Sequence, residues 1–462
     1  MPMGAGNSNP KAIMTVSHTA PDHAAPRRGQ IGYVTLIAGF CVAYIAAHYA
    51  LLVINEVYQP TLLDEIASLG LAPFALYYVI SRNEYFLIGL YGIYIAILLA
   101  GAVLFDQSGM PQPVSGMVAA ALDFKLPIFV FAFAGFFSAI PDAGRVFRLL
   151  FISFIVVGLI NIPFVAIDYV RGVDIFGGNL GSKGDFILPS GLVRHNTEVA
   201  WISCLAALSS LTMFVQKRNI LYLSITILFA IVLLSSVSIK EMAAFIAGAF
   251  IILRGRDASR FISILAIVVG VLVLAVVVTQ TSIGYAIMNH VGMFVGADAI
   301  ETVRWSMTEV SFQLASEYFP LGAGGGTFGS APSYQENYSY LYYLYGISTL
   351  LGGGPDDAAF LQDVFWAKVV GEAGWFGFAA YVSFLAILMR RIIKSRAAVD
   401  RDTDVLLRFC LACGVLLLMI SLASSPFTNQ FLVFIAGISF GFGCSVAAAT
   451  RKRRAGLRRF RI

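Results

Sequence analysis

Residues 429–448 read NQFLVFIAGISFGFGCSVAA, and the chain continues over residues 449–462 as ATRKRRAGLRRFRI. The first stretch has no charged residue and matches the length of about 20 residues that a membrane-spanning helix needs. The second is rich in arginine and lysine, which membrane proteins keep on the cytoplasmic side. The junction therefore predicts a last spanning helix followed by a basic cytoplasmic tail.

The composition of the whole chain leads to the same class of protein. Of its 462 residues, 58% are hydrophobic and only 12% are charged, against about 25% charged residues in a soluble domain. The mean hydropathy is +0.81. Lipid must therefore be the solvent for most of the chain. The net charge of +5 then reflects orientation in a membrane, and we expect no nucleic-acid partner.

Apolar runs long enough for a spanning helix recur along the chain. They lie at 31–54, 66–81, 84–105, 115–140, 146–168, 197–215, 219–237, 239–254, 261–280, 364–390, 405–424 and 429–448. These runs predict an all-α polytopic integral membrane protein with about 12 transmembrane helices. The second and eighth runs are short, so tilted or re-entrant helices are alternatives there.

Charge placement predicts the orientation. If the polar segment 1–30 is a disordered cytoplasmic tail, about 24 of the 31 lysines and arginines fall on the cytoplasmic side. The transmembrane domain then covers 31–448, and both termini lie in the cytoplasm. Two long loops, 169–196 and 281–363, face the other side, which is the periplasm or the cell exterior.

A few cations are not explained by this topology. They are Lys125, Arg171, Lys183, Arg194, Lys240, Arg304 and Lys368. An unpaired charge within a membrane costs free energy, so these residues are candidates for a site or for ion pairs. Asp123 and Lys125, two residues apart, point to different sides of a helix, and each needs another partner. Lys368 is expected to extend toward the surface from a helix end.

Residues 319–330, FPLGAGGGTFGS, form a glycine-rich turn within the second long loop. Two interpretations stay open. Pro320 and the glycines can end a helix and form tight turns, or backbone N–H groups near Gly324 and Gly326 can form an anion-binding nest. The preceding residues, 301–320, have the apolar spacing of an amphipathic helix at the membrane surface, with Arg304 near its start.

The chain shows no motif for a metal or a cofactor, and we expect neither. Its five cysteines lie in apolar stretches, and the C-x-x-C pair Cys410 and Cys413 has no second cysteine or histidine pair nearby to complete a zinc site. The glycine turn has neither the preceding strand of a dinucleotide fold nor the Gly-Lys-Ser/Thr of a P-loop.

Four stretches, taken in order, resemble known bacterial proteins. They are SGLVRHNTEVAW (190–201), SSVSIKEMAAFIAG (235–248), the pair Arg304-Trp305 followed by PLGAGGGTFG (320–329), and DVFWAKVVGEAGWFGFAAYVSF (363–384). Their order and spacing are similar to those of O-antigen polymerases and O-antigen ligases. Lys240 departs from the pattern, because that family usually has arginine at this position.

The resemblance implies a GT-C-like, metal-independent, inverting glycosyltransferase of the bacterial inner membrane. Its donor would be a glycan on undecaprenyl diphosphate, used at the periplasmic face, and its protein partners would be a chain-length regulator and a flippase. A polymerase passes the glycan to another lipid-linked repeat unit, whereas a ligase passes it to lipid A–core.

One departure bears on the choice between these two activities. Ligases of this family usually have a histidine ahead of the last motif helix, and residues 352–366, GGGPDDAAFLQDVFW, have none. This favours a polysaccharide polymerase. A lipid-linked oligosaccharide flippase or transporter is the alternative from a different class of protein.

The candidate catalytic residues follow from what this chemistry needs. Arg194 and Arg304 are the candidates to hold the diphosphate, because arginine binds phosphate oxygens bidentately. The base that takes the proton of the acceptor hydroxyl is expected to be His195 or Asp363, with His290 as a further candidate.

A second group of candidates would bind substrate without reacting. It comprises Arg171, Lys183, Lys240, Glu372, Tyr340, Gly324 and Gly326. Each has a structural alternative: loop cations can simply be solvated, Lys240 can pair with Glu241, and Glu372 can be a buried structural carboxylate. Tyr340 belongs to a tyrosine-rich stretch, 333–346, that can form an interfacial belt or stack on sugars.

Overall fold

The computed structural model of the protein describes residues 28–54, 63–104, 113–140, 142–176, 180–183, 186–193, 195–254, 303–335 and 338–459. Within these ranges, nine helices are long and apolar enough to cross a membrane. Two shorter helices, Ile220–Ser235 and Ile239–Leu253, lie among them in the chain. The prediction of an all-α polytopic membrane protein is confirmed at this level.

The helices follow one another with little other structure between them. The first eight are α1 (Arg28–Ile54), α2 (Leu63–Arg82), α3 (Tyr85–Leu104), α4 (Pro113–Ala139), α5 (Ala143–Arg171), α6 (Asn196–Lys217), α7 (Ile220–Ser235) and α8 (Ile239–Leu253). The remaining ones are α9 (Val303–Glu317), α10 (Pro332–Gln335), α11 (Tyr340–Leu344), α12 (Phe365–Ser395), α13 (Arg401–Ile420) and α14 (Gln430–Arg459). Between α5 and α6 lie an antiparallel pair of short strands, β1 (Gly181–Lys183) and β2 (Phe186–Leu188), and a 3₁₀ turn, Gly191–Val193.

The predicted spans within the described residues coincide with these helices to within five residues, except that α14 continues to Arg459, eleven residues beyond the predicted end of the last span. The weak second run forms a full helix, α2, whereas the eighth run, α8, stays short at 15 residues. The predicted span 261–280 lies outside the described residues, as does the first part of the long loop 281–363.

The core of the bundle is built around α4, α12 and α14. α4 packs against α2, α3 and α14, and α12 packs against α3, α9 and α14. On the other flank, α6 contacts α5, α7 and α8, and α13 contacts α8 and α14. The longer connections between the bundle helices follow α5, α9 and α13, and we call the end of the bundle where they lie the loop end.

The long loop is partly helical, as predicted, but its glycine turn does not lie on the surface. Residues 322–330 are buried and enter the bundle between α3, α4 and α12. A Cβ atom on Gly324 would lie 2.4 Å from the backbone nitrogen of Ala102, and one on Gly326 would lie 2.6 Å from the carbonyl carbon of Ser115. Both glycines have positive φ, so close approach and backbone conformation each exclude a larger residue.

The turn meets a break in α12. At Gly374 the backbone leaves helical geometry, with φ 60° and ψ −169°, and a Cβ atom on Gly322 would lie 2.3 Å from the Gly374 nitrogen. Backbone hydrogen bonds from Gly324 to the Glu372 carbonyl (2.9 Å) and from Gly325 to the Leu98 carbonyl (3.0 Å) complete this contact. Two of the motifs quoted above, the glycine turn and the Glu-x-Gly helix, are therefore two halves of one packing unit.

Two of the unexplained cations are partners in buried ion pairs between helices. The Lys125 ammonium on α4 lies 2.5 Å from both Asp64 and Glu65 at the start of α2. The Lys368 ammonium on α12 lies 2.5 Å from Asp123 on α4. Asp123 and Lys125 therefore do take partners from different helices. The expectation that Lys368 extends to the surface is wrong, because its side chain is only 4% exposed.

Candidate active site

The segment before α6 is held in place by two polar side chains of α5. The buried Asp168 carboxylate accepts hydrogen bonds from the backbone N–H groups of Ser190 (2.9 Å) and Gly191 (2.6 Å). Asn161 accepts one from Leu192 (2.8 Å). Gly191 has a φ of 57°, and a Cβ atom there would lie 2.5 Å from the Asn161 side-chain oxygen. This turn is therefore anchored on α5, and it fixes the position of the chain that leads to His195.

His195 caps the N-terminus of α6 with its own side chain. Its Nδ1 accepts a hydrogen bond from the Thr197 backbone N–H (3.3 Å) and lies 2.6 Å from the Thr197 hydroxyl. Because Nδ1 is the acceptor, the proton of the neutral ring lies on Nε2. His195 is thus arranged as a hydrogen-bond donor, and the geometry does not favour its predicted use as the base.

The electrostatic surroundings of His195 agree with a neutral ring. Its edge is open to solvent, but close packing of protein around it lowers its pKa below the usual value, and Lys240 acts in the same direction. The negative charges of Glu198 and Asp363 oppose this shift. The net direction is downward, so the ring is neutral near pH 7.

Lys240 lies in the first turn of α8, and the α13–α14 loop holds its ammonium. The ammonium donates to the Ala423 carbonyl (2.8 Å) and the Ser424 hydroxyl (2.7 Å). Glu241 lies 3.9 Å away, but its carboxylate is already engaged by the Trp201 indole N–H (2.8 Å). The expected Lys240–Glu241 pair is therefore only part of the arrangement, and the lysine is oriented by the loop.

Arg304, near the start of α9, forms an ion pair with Asp363, two residues before α12. The guanidinium Nη2 lies 2.5 Å from Asp363 Oδ2, with about a quarter of each side chain exposed. The guanidinium carbon also lies 4.8 Å from the centre of the Phe360 ring. Glu301, the partner that sequence spacing suggests, lies outside the described residues.

These side chains come together at the loop end. Asp363 is near enough to interact electrostatically with both His195 and Lys240, and Lys240 also with Arg304. We call His195, Lys240, Arg304 and Asp363 the charged cluster. Tyr334 borders it: burial raises the pKa of its hydroxyl to about 12, and the charge of Asp363 adds to that shift. Residues from four separate segments of the chain thus face one region.

An apolar groove begins beside the charged cluster. It has a volume of about 400 Å³ and runs between α9, α12 and α13. Its walls are Thr308, Ser311, Phe312, Trp366, Ala367, Val370, Phe378, Val382, Leu385, Ala386, Met389 and Leu418. Thr308 is one helical turn after Arg304, and Trp366 is three residues after Asp363. Along α12 the groove is lined from Trp366 to Met389, on both sides of the break at Gly374.

Several predicted site residues are not brought to the cluster. Arg171 ends α5 with an exposed side chain, and Tyr340 begins α11 with 46% of its surface exposed. Lys183 pairs with Phe186 through the β1–β2 ladder, and its side chain is outside the described part of the chain. Their roles stay predictions. Arg194 and His290 also lie outside the described residues.

Gly324, Gly326 and Glu372 have structural partners. The Glu372 Oε1 atom accepts hydrogen bonds from the Phe328 backbone N–H (3.0 Å) and the Ser330 hydroxyl (2.6 Å). Glu372 is fully buried and holds the glycine turn from inside the bundle. The amides of Gly324 and Phe328 are thus bonded to protein. These three residues belong to the packing unit, and their predicted role in binding substrate stays a prediction.

Sequence reasoning missed the loop between α13 and α14. Besides holding Lys240, this loop fixes the segment that carries Asp363, because the Ser425 hydroxyl donates to the Gln362 carbonyl (2.6 Å). The only available signal was a run of small polar residues, SLASSPFT (421–428), between two apolar helices. Part of that run was counted within the predicted span 405–424.

A buried acid behind His195 was also missed. Glu198 is 1% exposed, and among the described residues neither of its carboxylate oxygens has a hydrogen-bond partner. The nearest base is His48 on α1, whose Nε2 lies 4.0 Å from the carboxylate. The His48 ring is stacked on Phe431 with their centres 5.0 Å apart. A lone glutamate in an apolar run was the one indication in the sequence.

Comparison with known proteins gave no match, either to protein-family models or to curated proteins.

Proposed function

We propose that this protein is a membrane glycosyltransferase that transfers a glycan from a polyprenyl diphosphate to a lipid-linked repeat unit, the reaction of a polysaccharide polymerase. The observation that carries the proposal is that the charged cluster lies at the head of the apolar groove. A lipid diphosphate has a compact anionic head and a long apolar tail. One region of cations joined to one apolar groove is complementary to both parts.

Each residue of the charged cluster has its own role in the proposed reaction. Arg304 and Lys240 hold the diphosphate, where negative charge grows in the transition state. His195 donates from Nε2 to an oxygen of the donor. Asp363 is the base, because it is the carboxylate among these groups. Arg194, adjacent in sequence to His195, is proposed as a further cation for the diphosphate.

The transfer is a single displacement at the anomeric carbon. The acceptor O–H bond breaks and its proton goes to the Asp363 carboxylate. The acceptor oxygen forms a bond to the anomeric carbon, and the bond from that carbon to the diphosphate oxygen breaks. Its electron pair leaves with the lipid diphosphate, so the sugar inverts.

Orientation in the membrane is part of the proposal. We place the loop end in the periplasm and both termini in the cytoplasm of a bacterial inner membrane, with 12 spans if 261–280 is counted. The abundance of basic residues at the opposite end of the helices supports this. The motif order described above supports an O-antigen polymerase-like or ligase-like member of the GT-C class.

Polymerase and ligase activities are separated by the acceptor. Purified protein in liposomes is given undecaprenyl diphosphate-linked repeat units alone and then with lipid A–core. Longer lipid-linked chains without lipid A–core support the polymerase, and transfer only after its addition supports the ligase. No transfer under either condition contradicts the glycosyltransferase proposal.

Variants connect the activity to the cluster. Arg304→Ala should abolish transfer while the protein is still made and inserted, because the leaving diphosphate loses a cation. Arg82→Ala is the matched control, because Arg82 is an exposed cation at the C-terminal end of α2 and is not part of the charged cluster. Equal loss of activity in both variants would show that the effect is not local to the cluster.

A transporter of lipid-linked oligosaccharides is the second candidate. It is favoured by the buried pairs of Lys125 and Lys368, because ionisable residues inside spanning helices often line transport paths. A fluorescent lipid-linked glycan in proteoliposomes distinguishes the two functions. A transporter moves it between leaflets without lengthening it.

A further inference from the structure

Arg304 is held by its own chain in this structure. Its guanidinium bonds to Asp363 at 2.5 Å and lies over Phe360, which is in the same segment ahead of α12. The pair is not sealed in the core, since 26% of the arginine side chain and 25% of the aspartate side chain are exposed. Partly exposed ion pairs of this kind are weak and can exchange partners.

The ion pair holds Arg304 and Asp363 together, whereas the proposed reaction uses the two groups separately. A diphosphate binds a guanidinium through the same planar N–H groups that a carboxylate uses. An Asp363 oxygen that accepts a hydrogen bond from Arg304 has that lone pair occupied and cannot take a proton there. The carboxylate, once released, still faces Lys240, His195 and Tyr334, so it stays in the site.

We infer that Asp363 and the donor diphosphate compete for Arg304, so that donor binding is the event that releases the Asp363 carboxylate to act as the base. This inference rests on the proposed function and adds an order to it. Before the donor binds, Arg304 occupies the Oδ2 atom of the base. After it binds, the diphosphate takes the guanidinium, and the free carboxylate accepts the proton of the acceptor hydroxyl.

Competition has a consequence that a purely supporting role for Asp363 does not share. If Asp363 competes, removing its charge frees Arg304 and tightens ground-state binding of the diphosphate. If Asp363 only orients Arg304, its removal loosens that binding. The sign of one affinity change therefore separates the two roles.

The experiment measures binding of undecaprenyl diphosphate, without a glycan, to the full-length protein in lipid nanodiscs. Asp363→Asn should bind it roughly two- to fivefold more tightly than wild type, the range expected for a partly exposed ion pair, while transfer activity is lost. Asp363→Ser makes the same prediction and serves if the asparagine variant does not fold. Weaker or unchanged binding in the folded variant overturns the inference.

Two controls exclude a general effect of charge. Asp356→Asn removes one negative charge from an exposed residue of the same loop and should leave the affinity unchanged. In an Arg304→Ala background, Asp363→Asn should no longer tighten binding. Equal tightening in the Asp356 variant, or tightening that persists without Arg304, counts against competition.

The same measurements also distinguish a failure of this inference from a failure of the proposed function. Wild-type protein that neither binds undecaprenyl diphosphate nor transfers glycan contradicts the proposed function and the inference together. Wild-type protein that binds and transfers, combined with looser binding in Asp363→Asn, overturns the inference alone.

Discussion

At the residue scale, the His195 side chain caps the N-terminus of a helix and also belongs to the charged cluster. His195 caps α6 through Nδ1 and lies within electrostatic range of Asp363 and Lys240. The two roles are linked, because a protonated Nδ1 can no longer accept the Thr197 N–H. The sequence showed that a histidine stands here, but it could not show which nitrogen faces which way. The tautomer depends on the backbone of the first helical turn.

This linkage predicts how stability depends on pH. His195 is solvent-exposed, but the protein packed around it partly desolvates the ring and lowers its pKa in the folded state, so the unfolded chain binds the proton more tightly. Wild-type stability should fall as the pH drops from about 7 through about 6.5 and reach a plateau below the lowered pKa. His195→Asn keeps a good N-cap without a titrating ring, so its melting temperature should fall less over that range.

Melting temperatures in detergent between about pH 8 and about pH 5 check this. Glu198, Asp363 and Lys240 also face His195, but they remain in both proteins and cancel in the comparison. An equal acid dependence in wild type and His195→Asn would show that this histidine does not titrate in that range.

At the element scale, charged pairs join helices that are far apart in sequence. Asp123 on α4 bonds to Lys368 on α12 and also accepts a hydrogen bond from the Tyr94 hydroxyl on α3 (2.6 Å). A buried pair adds little net stability, but either partner left alone is costly. These contacts hold α3, α4 and α12 in the register that the glycine turn needs.

Removing one partner should therefore destabilise the bundle strongly. Asp123→Leu leaves the Lys368 ammonium buried without its carboxylate, and we expect a loss of about 3–5 kcal/mol. Adding Lys368→Met to that variant should restore most of the stability. Equilibrium unfolding in mixed micelles measures both variants.

A surface pair provides the comparison. Arg148 lies 3.9 Å from Asp142, with half or more of each side chain exposed, so Arg148→Met should cost less than about 1 kcal/mol. If Asp123→Leu also lowers the free energy of unfolding by less than about 1 kcal/mol, water reaches the Lys368 ammonium.

The bounds of the helices could be predicted from the sequence, but the contacts between helices could not. Apolar runs and flanking arginines predict helix bounds because hydropathy and length are local properties. The partner of Lys125 is 60 residues away on α2, and the glycine turn meets Gly374 in a contact that no local pattern contains. The same limit applies to the site: Arg304 and Asp363 were both predicted, but their pairing depends on how α9 packs on α12.

At the scale of the whole molecule, the groove begins close in sequence to the charged cluster, since Thr308 follows Arg304 on α9 and Trp366 follows Asp363 on α12. Exposed apolar side chains on the outside of the bundle meet lipid, whereas the groove is a recess between three helices.

Blocking the recess should discriminate by chain length. Ala386→Trp fills the groove well away from the charged cluster, so the KM for an undecaprenyl-linked donor should rise by about tenfold or more, because several buried methylenes lose their contacts. A geranyl-linked donor, too short to reach this point, should be used as before. Ile393→Trp, an exposed position of α12 outside the groove, is the control and should change neither value.

Orientation is checked by chemical labelling of single cysteines. The five native cysteines are all buried, so their background labelling is low. In intact cells an impermeant maleimide should label Tyr340→Cys, at the loop end, and should label Arg82→Cys only after the inner membrane is opened. The reverse pattern would place the cluster in the cytoplasm and contradict the proposed reaction.

The way the glycine turn is anchored limits how this protein can be re-engineered. The glycine turn packs on α3, α4 and the broken part of α12, so this part of the loop has its support in the membrane bundle. A chimera that grafts this loop alone onto another polytopic enzyme would leave backbone facing bulky side chains. Transplanting substrate choice between such proteins will require moving the loop together with the helix surfaces that receive it.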